Sequence, residues 1–185
     1  MVTGQGGNST TDVPPPPNPA RVITTTNLEN AASIFDKTFD ESLEVTQNLG
    51  GSLFRLAYVS GRAPQALNET NLSVYGSYLQ NIPPLIVPGG GATVWYIDTP
   101  PGAGSPLHRT ISLDFVIVIE GELQLSLDSG EKRQLKPGDM IIQRGTTHQW
   151  TNLSKDTWVR MIGVMSESDP IVLNNGTTLG TAGLG

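Results

Sequence analysis

Two histidines and one aspartate are the residues of this sequence whose types and spacing could do chemistry. The stretch "HRTISLD" begins at His108 and ends at Asp114, and the only other histidine, His148, follows the turn "RGTT". Side chains alternate between the two faces of a β-strand. If this stretch is one strand, His108 and Asp114 therefore share a face. A charged Asp114 inside the apolar run that follows is costly unless it is paired, hydrogen-bonded or bound to a cation.

These three side chains allow three interpretations. Two histidines and one carboxylate from neighbouring strands can form a facial triad, which holds a divalent metal, typically Fe(II), and leaves coordination positions open. The same groups without a metal suit general acid and base catalysis, because a buried carboxylate near a histidine can move protons at neutral pH. In the third interpretation they are core residues of a non-catalytic binding protein.

Further polar and aromatic side chains around the two histidines are candidates for binding a substrate. Thr110 shares the predicted face of His108, and Trp150 shares that of His148. Arg144 could bind a substrate carboxylate through two hydrogen bonds, or it could fix its turn through a salt bridge. The predicted substrate-binding residues are Thr110, Gln143, Arg144 and Trp150.

Short strands must position these residues. From "ATVWYID" to "WVRMIGVM", runs rich in Val, Ile and Leu alternate with turns such as "EGE" and "SGEKR". Such spacing is typical of an all-β sandwich or barrel. In "FVIVI", directly after Asp114, apolar residues occupy both faces. This pattern predicts a strand that is buried on both sides.

The rest of the chain divides by composition. Residues 1–20 are rich in Gly, Ser, Thr and Pro and include "PPPPNP", which predicts an unpacked, disordered leader. Residues 21–91 are predicted to be strands and loops that pack on the barrel. Residues 92–168 form the predicted core barrel, and residues 169–185 are a polar, Gly-rich tail.

The totals exclude several classes of function. The 185 residues carry a net charge of −6 and include no cysteine. An acidic chain without a basic stripe is not expected to bind nucleic acid or an anionic membrane, and a chain without cysteine has no thiol nucleophile. No signal peptide or membrane-spanning stretch is apparent, so we expect a cytoplasmic protein. Two apolar strand faces with few helices to cover them favour a homodimer.

The spacing of the first candidate segment resembles the first motif of the cupin superfamily. That motif runs from a glycine over five residues to His-x-His, then over three or four residues to a glutamate and over six residues to a second glycine. In this chain three residues separate Thr110 from Asp114, and five and six residues separate the outer glycines from His108 and Asp114. Thr110 stands where the family has its second histidine, and Asp114 stands at the glutamate. The matching positions are Gly102, His108, Thr110, Asp114 and Gly121.

The second candidate segment resembles the second cupin motif, which leads from a glycine through a proline turn to a histidine and an asparagine. Arg144 takes the place of the proline, and the first gap is one residue short. The matching positions are Gly138, Gly145, His148 and Asn152.

The amino-acid sequence of both segments is similar to that of small single-domain cupins, including the cupin-domain oxidoreductases of fungal polyketide gene clusters. The resemblance implies a double-stranded β-helix, the jelly-roll barrel of this family. It also implies an enzyme that acts on a small organic molecule, such as an aromatic or polyketide compound. Its cofactor would be Fe(II), Mn(II), Ni(II) or Zn(II) on His108, Asp114 and His148. The alternatives are a metal-free dehydratase, isomerase, cyclase or decarboxylase and a non-catalytic small-molecule binding protein.

Overall fold

The protein folds mainly into β-strands. The computed structural model describes residues 13–67 and 69–184. The strands of this part are β1 Thr24–Thr26, β2 Ser33–Phe35, β3 Gln47–Leu49, β4 Ser52–Val59, β5 Ala92–Thr99, β6 Ser112–Glu120, β7 Leu123–Leu127, β8 Lys132–Leu135, β9 Met140–Arg144, β10 His148–Thr151 and β11 Val159–Glu167, and the helix is α1 Glu69–Gln80.

The strands of the core belong to two antiparallel sheets. The larger sheet has the order β3-β4-β5-β11-β6-β9, and the smaller has the order β10-β7-β8. Buried residues of both sheets pack into one cluster, in which Trp95 and Val116 of the larger sheet join Leu125 and Trp150 of the smaller one. This architecture confirms the predicted all-β, double-stranded β-helix.

Strand β6 is buried on one side only, which corrects the prediction for "FVIVI". Asp114, Val116 and Val118 face inward and are buried, whereas Phe115 and Ile119 on the outer face are each 37% exposed. The apolar residues of both faces predicted a second covering layer. Instead, the described part of the chain leaves the outer face of β6 partly open to solvent.

The proline-rich segment differs from the prediction of an unpacked leader. Residues 1–12 lie outside the described residues, but Val13 and Pro17 accept hydrogen bonds through their backbone carbonyls from Trp158 Nε1 (2.9 Å) and Arg160 Nη2 (2.8 Å). A polyproline segment has free carbonyls because it forms no internal hydrogen bonds. These carbonyls give residues 13–20 a docked position that their low apolar content does not predict.

The charges beneath this segment are buried. Asp98 on β5 is fully buried, and it pairs with Arg55 of β4 and Arg160 of β11. Arg160 Nε lies 2.7 Å from Asp98 Oδ1, and Arg55 Nε donates to Asn18 Oδ1 at 3.0 Å. The proline-rich segment thus supplies acceptors that two buried guanidinium groups would otherwise lack.

Helix α1 lies in the region that was predicted to contain strands and loops. Leu72, Tyr75 and Leu79 recur at three- and four-residue spacing, which is the helical period. Tyr75 is fully buried, and Leu79 packs against the core cluster. No helix in residues 13–67 and 69–184 is long and apolar enough to cross a membrane.

Candidate functional site

The two histidines of the chain lie directly opposite each other. His108 belongs to a short extended segment before β6, and His148 begins β10. Their backbones exchange two hydrogen bonds, with N–H···O distances of 2.9 and 2.8 Å. Residues opposite each other in an antiparallel pair project from the same face. The ring centroids are consequently only 4.3 Å apart.

Backbone carbonyls fix the tautomer of both imidazoles. His108 Nδ1 lies 2.9 Å from the Pro106 carbonyl oxygen, and His148 Nδ1 lies 2.9 Å from that of Thr146. A carbonyl oxygen only accepts, so each Nδ1 carries the proton. In a neutral ring the Nε2 atom then keeps its lone pair, and it can accept a hydrogen bond or coordinate a metal.

His148 is held in its neutral form. Burial lowers its pKa to about 4, the hydrogen bond to the Thr146 backbone opposes this shift, and the charge of His108 lowers the pKa further. The side chain is 3% exposed. At neutral pH His148 is therefore an uncharged base.

Asp114 is a buried carboxyl group on the inner face of β6. It is 6% exposed, and its Oδ1 atom has no hydrogen-bond partner among the described residues. Burial raises its pKa to about 6, and a hydrogen bond with Ser112 opposes the shift. An unsatisfied buried oxygen is expensive, so Oδ1 is available to a ligand.

One cavity of about 680 Å³ collects five of the seven predicted site residues: His108, Thr110, Asp114, His148 and Trp150. The Thr110 hydroxyl lies 2.7 Å from that of Ser112, and the Trp150 ring meets His148 edge-on at 5.5 Å. Much of the wall is apolar and includes Phe54, Leu85, Ile86, Ile97, Val116, Met161 and Met165. Apolar walls with a few convergent polar groups are typical of a site for a small organic molecule.

The two other predicted substrate-binding residues do not line this cavity. Gln143 is buried opposite Asp114 in the β6–β9 ladder, and its amide donates to the Thr146 hydroxyl. Arg144 is the last residue of β9, and its side chain is exposed. Gln143 is buried and Arg144 is exposed because neighbouring residues of one strand project to opposite faces.

The donor types of the site suit a divalent metal, but their positions do not form a complete ligand set. Two Nε2 atoms fixed through Nδ1 hydrogen bonds are typical of metal-binding histidines, and the unsatisfied Asp114 oxygen adds a carboxylate to the same cavity. The described residues nevertheless contain no group of three or more His, Asp or Glu side chains placed to hold a metal ion. The triad of His108, Asp114 and His148 stays a prediction.

The residues at the rim of the cavity were not predicted from the sequence. The end of β3 contributes Asn48 and Leu49, the turn after it contributes Gly50, and the tail contributes Leu184. These residues lie outside the predicted core barrel of residues 92–168. The only local signal at the tail is Leu184 itself, an apolar side chain among glycines.

Comparison with known proteins gives one family and several relatives. The family model described as "Cupin domain" matches residues 95–165. Oryzines biosynthesis cluster protein J of Aspergillus oryzae is 40% identical over 81% of this chain and 84% of its own length. Phomopsin biosynthesis cluster protein D of Diaporthe leptostromiformis is 38% identical over 90% of this chain and 88% of its own. The cupin-domain-containing oxidoreductase virC of Hypocrea virens is 33% identical over 95% and 89%.

Proposed function

Because this chain belongs to the cupin family, we propose that it is an enzyme of secondary metabolism that transfers protons on a small organic molecule bound in the cavity. Asp114 is the proton-transfer group, and the two histidines orient the substrate. The observation that carries the proposal is the unsatisfied Asp114 oxygen in a largely apolar cavity that also holds the histidine pair.

The names of the relatives support the biological setting. Two of them are named for the biosynthesis clusters of oryzines and phomopsin, and a third is named an oxidoreductase. A cavity with mainly aliphatic and aromatic walls suits an apolar or aromatic intermediate better than a sugar or a nucleotide. The substrate class we propose is therefore a small aromatic or polyketide-like molecule.

The protonation states suit this chemistry near neutral pH. A carboxyl group with a pKa of about 6 is a better base than an ordinary aspartate and still returns the proton readily. Asp114 would take a proton from an acidic C–H or O–H bond of the substrate and give it back at another position. His108 and His148 would orient the substrate by accepting hydrogen bonds from its hydroxyl groups at their Nε2 atoms. Isomerisation, dehydration and cyclisation all follow this pattern.

A second candidate function is a metal-dependent oxidoreductase or lyase. The paired Nε2 atoms favour it, because Nδ1 hydrogen bonds to backbone carbonyls orient histidines as ligands. His108 and His148 would hold Fe(II), Mn(II), Ni(II) or Zn(II), and Asp114 would complete the set. The bound ion would supply Lewis-acid or oxygen chemistry. A third candidate, a non-catalytic binding protein, needs only the cavity.

Deuterium exchange on candidate ligands separates these functions. A panel of phenols and β-dicarbonyl compounds is incubated with the protein in D₂O, and incorporation at the acidic C–H position is followed by NMR. We expect wild type to catalyse exchange on at least one compound after treatment with a chelator. Activity that disappears with the chelator and returns with one of the four metals would favour the second candidate. Binding without any exchange would favour the third.

We also propose that the protein is a cytoplasmic homodimer. The outer faces of β6 and the edge strand β9 expose Phe115, Ile119, Met140 and Ile142. A second copy that packs the same face against this one across a twofold axis would bury the apolar side chains of both subunits.

A further inference from the structure

A segment near the end of the chain, residues 180–184, packs beside the strand that carries His108. The Arg109 N–H donates to the Ala182 carbonyl at 2.8 Å, and the Ala182 N–H donates to the Arg109 carbonyl at 3.0 Å. The Arg109 side chain adds a bond from Nε to the Gly180 carbonyl at 3.0 Å. We call residues 180–184 the clamp segment.

The His108 strand is held from both edges. His108 pairs with His148 of β10 on one edge, and the next residue, Arg109, pairs with Ala182 on the other. Successive residues of an extended chain direct their backbone groups to opposite edges. The clamp segment therefore completes a small ladder in which the His108 strand is the central member.

Gly183 allows the clamp segment to come this close. Its φ is +74°, a value that other residues rarely adopt. A Cβ atom at this position would overlap the Leu107 carbonyl oxygen and come within 2.9 Å of His108 Cα. These are backbone atoms that cannot move aside without displacing His108. A side chain at residue 183 is thus incompatible with the docked segment.

Leu184 extends from the clamp segment to the cavity. It lines the cavity and is also 49% exposed, so it lies at the rim. On the same rim lies Leu49, which is 45% exposed. A ligand that extends beyond the cavity on this side would contact the Leu184 side chain.

We propose that the clamp segment positions His108 and that Leu184 limits the length of the molecules that the cavity accepts. The inference rests on the proposed function only in that the cavity is taken as the substrate site. Arg109, which sequence analysis does not assign to the site, is the residue that anchors the clamp.

The positioning part is tested with Gly183→Ala. Two glycines serve as controls, since a Cβ would meet nothing within 4 Å at either: Gly180 in the clamp segment itself, and Gly176, whose φ is also positive at +82°. In Gly183→Ala we expect the Arg109 amide to exchange with solvent at least roughly tenfold faster, because its hydrogen bond to Ala182 is lost. The ¹⁵N signals of the His108 ring should shift as well.

Both control variants should behave like wild type. If Gly183→Ala does not fold, the same measurement is made on a chain that ends at Leu179, which lacks the clamp segment and carries no new side chain. Unchanged Arg109 exchange and unchanged His108 signals in either of these two proteins would overturn the positioning role.

The length limit is tested with two fluorescent probes, 2-naphthol as the short one and 1,6-diphenyl-1,3,5-hexatriene as the long one. Leu184→Ala should improve the affinity for the long probe relative to the short one by roughly tenfold, and Leu184→Trp should reduce it, as expected for a change of a few carbon atoms in an apolar pocket. Leu173→Ala is the control, because Leu173 is similarly exposed at 42% and does not line the cavity.

The ratio of the two affinities decides the outcome. If this ratio is the same in wild type and in both Leu184 variants, or if neither probe binds, the proposed length limit is wrong. Neither test uses turnover, so the clamp can stand if deuterium exchange fails, and the proposed proton transfer can stand if the clamp fails.

Discussion

Asp114 is the side chain on which the proposed chemistry depends. It stands at the carboxylate position of the first cupin motif, and the fold buries it with one oxygen unsatisfied. Asp114→Asn keeps the size and removes the charge. We expect the rate of substrate deuterium exchange to fall by roughly 10²–10⁴-fold, the usual contribution of a positioned proton-transfer group.

Added metal separates the mechanisms in the same variant. If the enzyme works by acid and base catalysis, adding Fe(II), Mn(II), Ni(II) or Zn(II) should not restore the activity of Asp114→Asn. With a metal enzyme, excess metal should restore part of the activity, because Asp114 is then one of several ligands. Full activity of Asp114→Asn without added metal would remove Asp114 from both mechanisms.

Because Asp114 is buried, the free energy of unfolding of the protein should depend on pH. Its folded-state pKa of about 6 lies above the ordinary value of 3.8, so folding favours the protonated form. The free energy of unfolding that this group contributes is fully present below pH 3.8 and is lost as the pH rises through 6. At pH 7 the cost is roughly 3 kcal/mol, at 1.36 kcal/mol for each pKa unit.

Chemical denaturation from pH 4 to 8 measures this effect. Wild type should lose stability relative to Asp114→Asn as the pH rises through this window. The exposed Asp128→Asn serves as a matched control and should follow wild type. Parallel curves for wild type and Asp114→Asn would mean that the carboxyl group is solvated in the folded protein.

The two histidines give a direct spectroscopic test because the chain has only two. We expect both rings to show the tautomer with the proton on Nδ1 in long-range ¹H–¹⁵N spectra. His148 should stay neutral until the pH approaches 4, since burial opposes its charge. Protonation of His148 near pH 6.5 would contradict its buried geometry.

Metal binding should depend on His148 if the second candidate function holds. Calorimetric titration of wild type with the four metals should then give one tight site, and His148→Ala should lose it. Added metal should raise the melting temperature of wild type but not that of His148→Ala. Equal metal affinity in wild type and His148→Ala would place the ion elsewhere.

At the scale of the elements, the proline-rich segment supplies hydrogen-bond acceptors to buried charged side chains. Residues 13–20 cover the cluster of Asp98, Arg55 and Arg160, which links β4, β5 and β11. Without the segment, Arg55 Nε would lose its acceptor, and Arg160 Nη2 would keep only Asp98 Oδ2. Buried polar groups without partners cost about 1–3 kcal/mol each.

Two shortened chains test this element. A chain that begins at Val13 should melt like the full chain, as the composition of residues 1–12 predicts. A chain that begins at Ala20 should melt at least roughly 5 °C lower, because it loses three acceptors, those of Val13, Pro17 and Asn18. Equal melting temperatures of the two shortened chains would show that the docked segment adds no stability.

At the scale of the whole molecule, the apolar outer face of β6 and β9 predicts self-association. Ile142 is 53% exposed, so Ile142→Lys should leave the fold intact and prevent a partner from burying this face. Analytical ultracentrifugation should show a dimer for wild type and a monomer for Ile142→Lys. Val74→Lys on α1, at a position 47% exposed, is the control and should remain a dimer. A monomeric wild type would contradict the prediction.

The sequence by itself determined the fold class and the family, and it predicted five of the residues that line the cavity. Alternation within a strand is a local property, so the shared face of Asp114, Val116 and Val118 could be read directly. The spacing of the two cupin motifs likewise identified the histidines that lie in the cavity, because it depends only on positions along the chain.

Only the tertiary structure decided what depends on distance between remote residues. It brought the two histidine rings to 4.3 Å and kept Arg144 outside the cavity. The Pro17 carbonyl accepts a hydrogen bond from the Arg160 side chain across 143 residues, and Arg109 pairs with Ala182 through the backbone across 73 residues. Backbone carbonyls are the same in every residue, so no side-chain pattern could have announced these contacts.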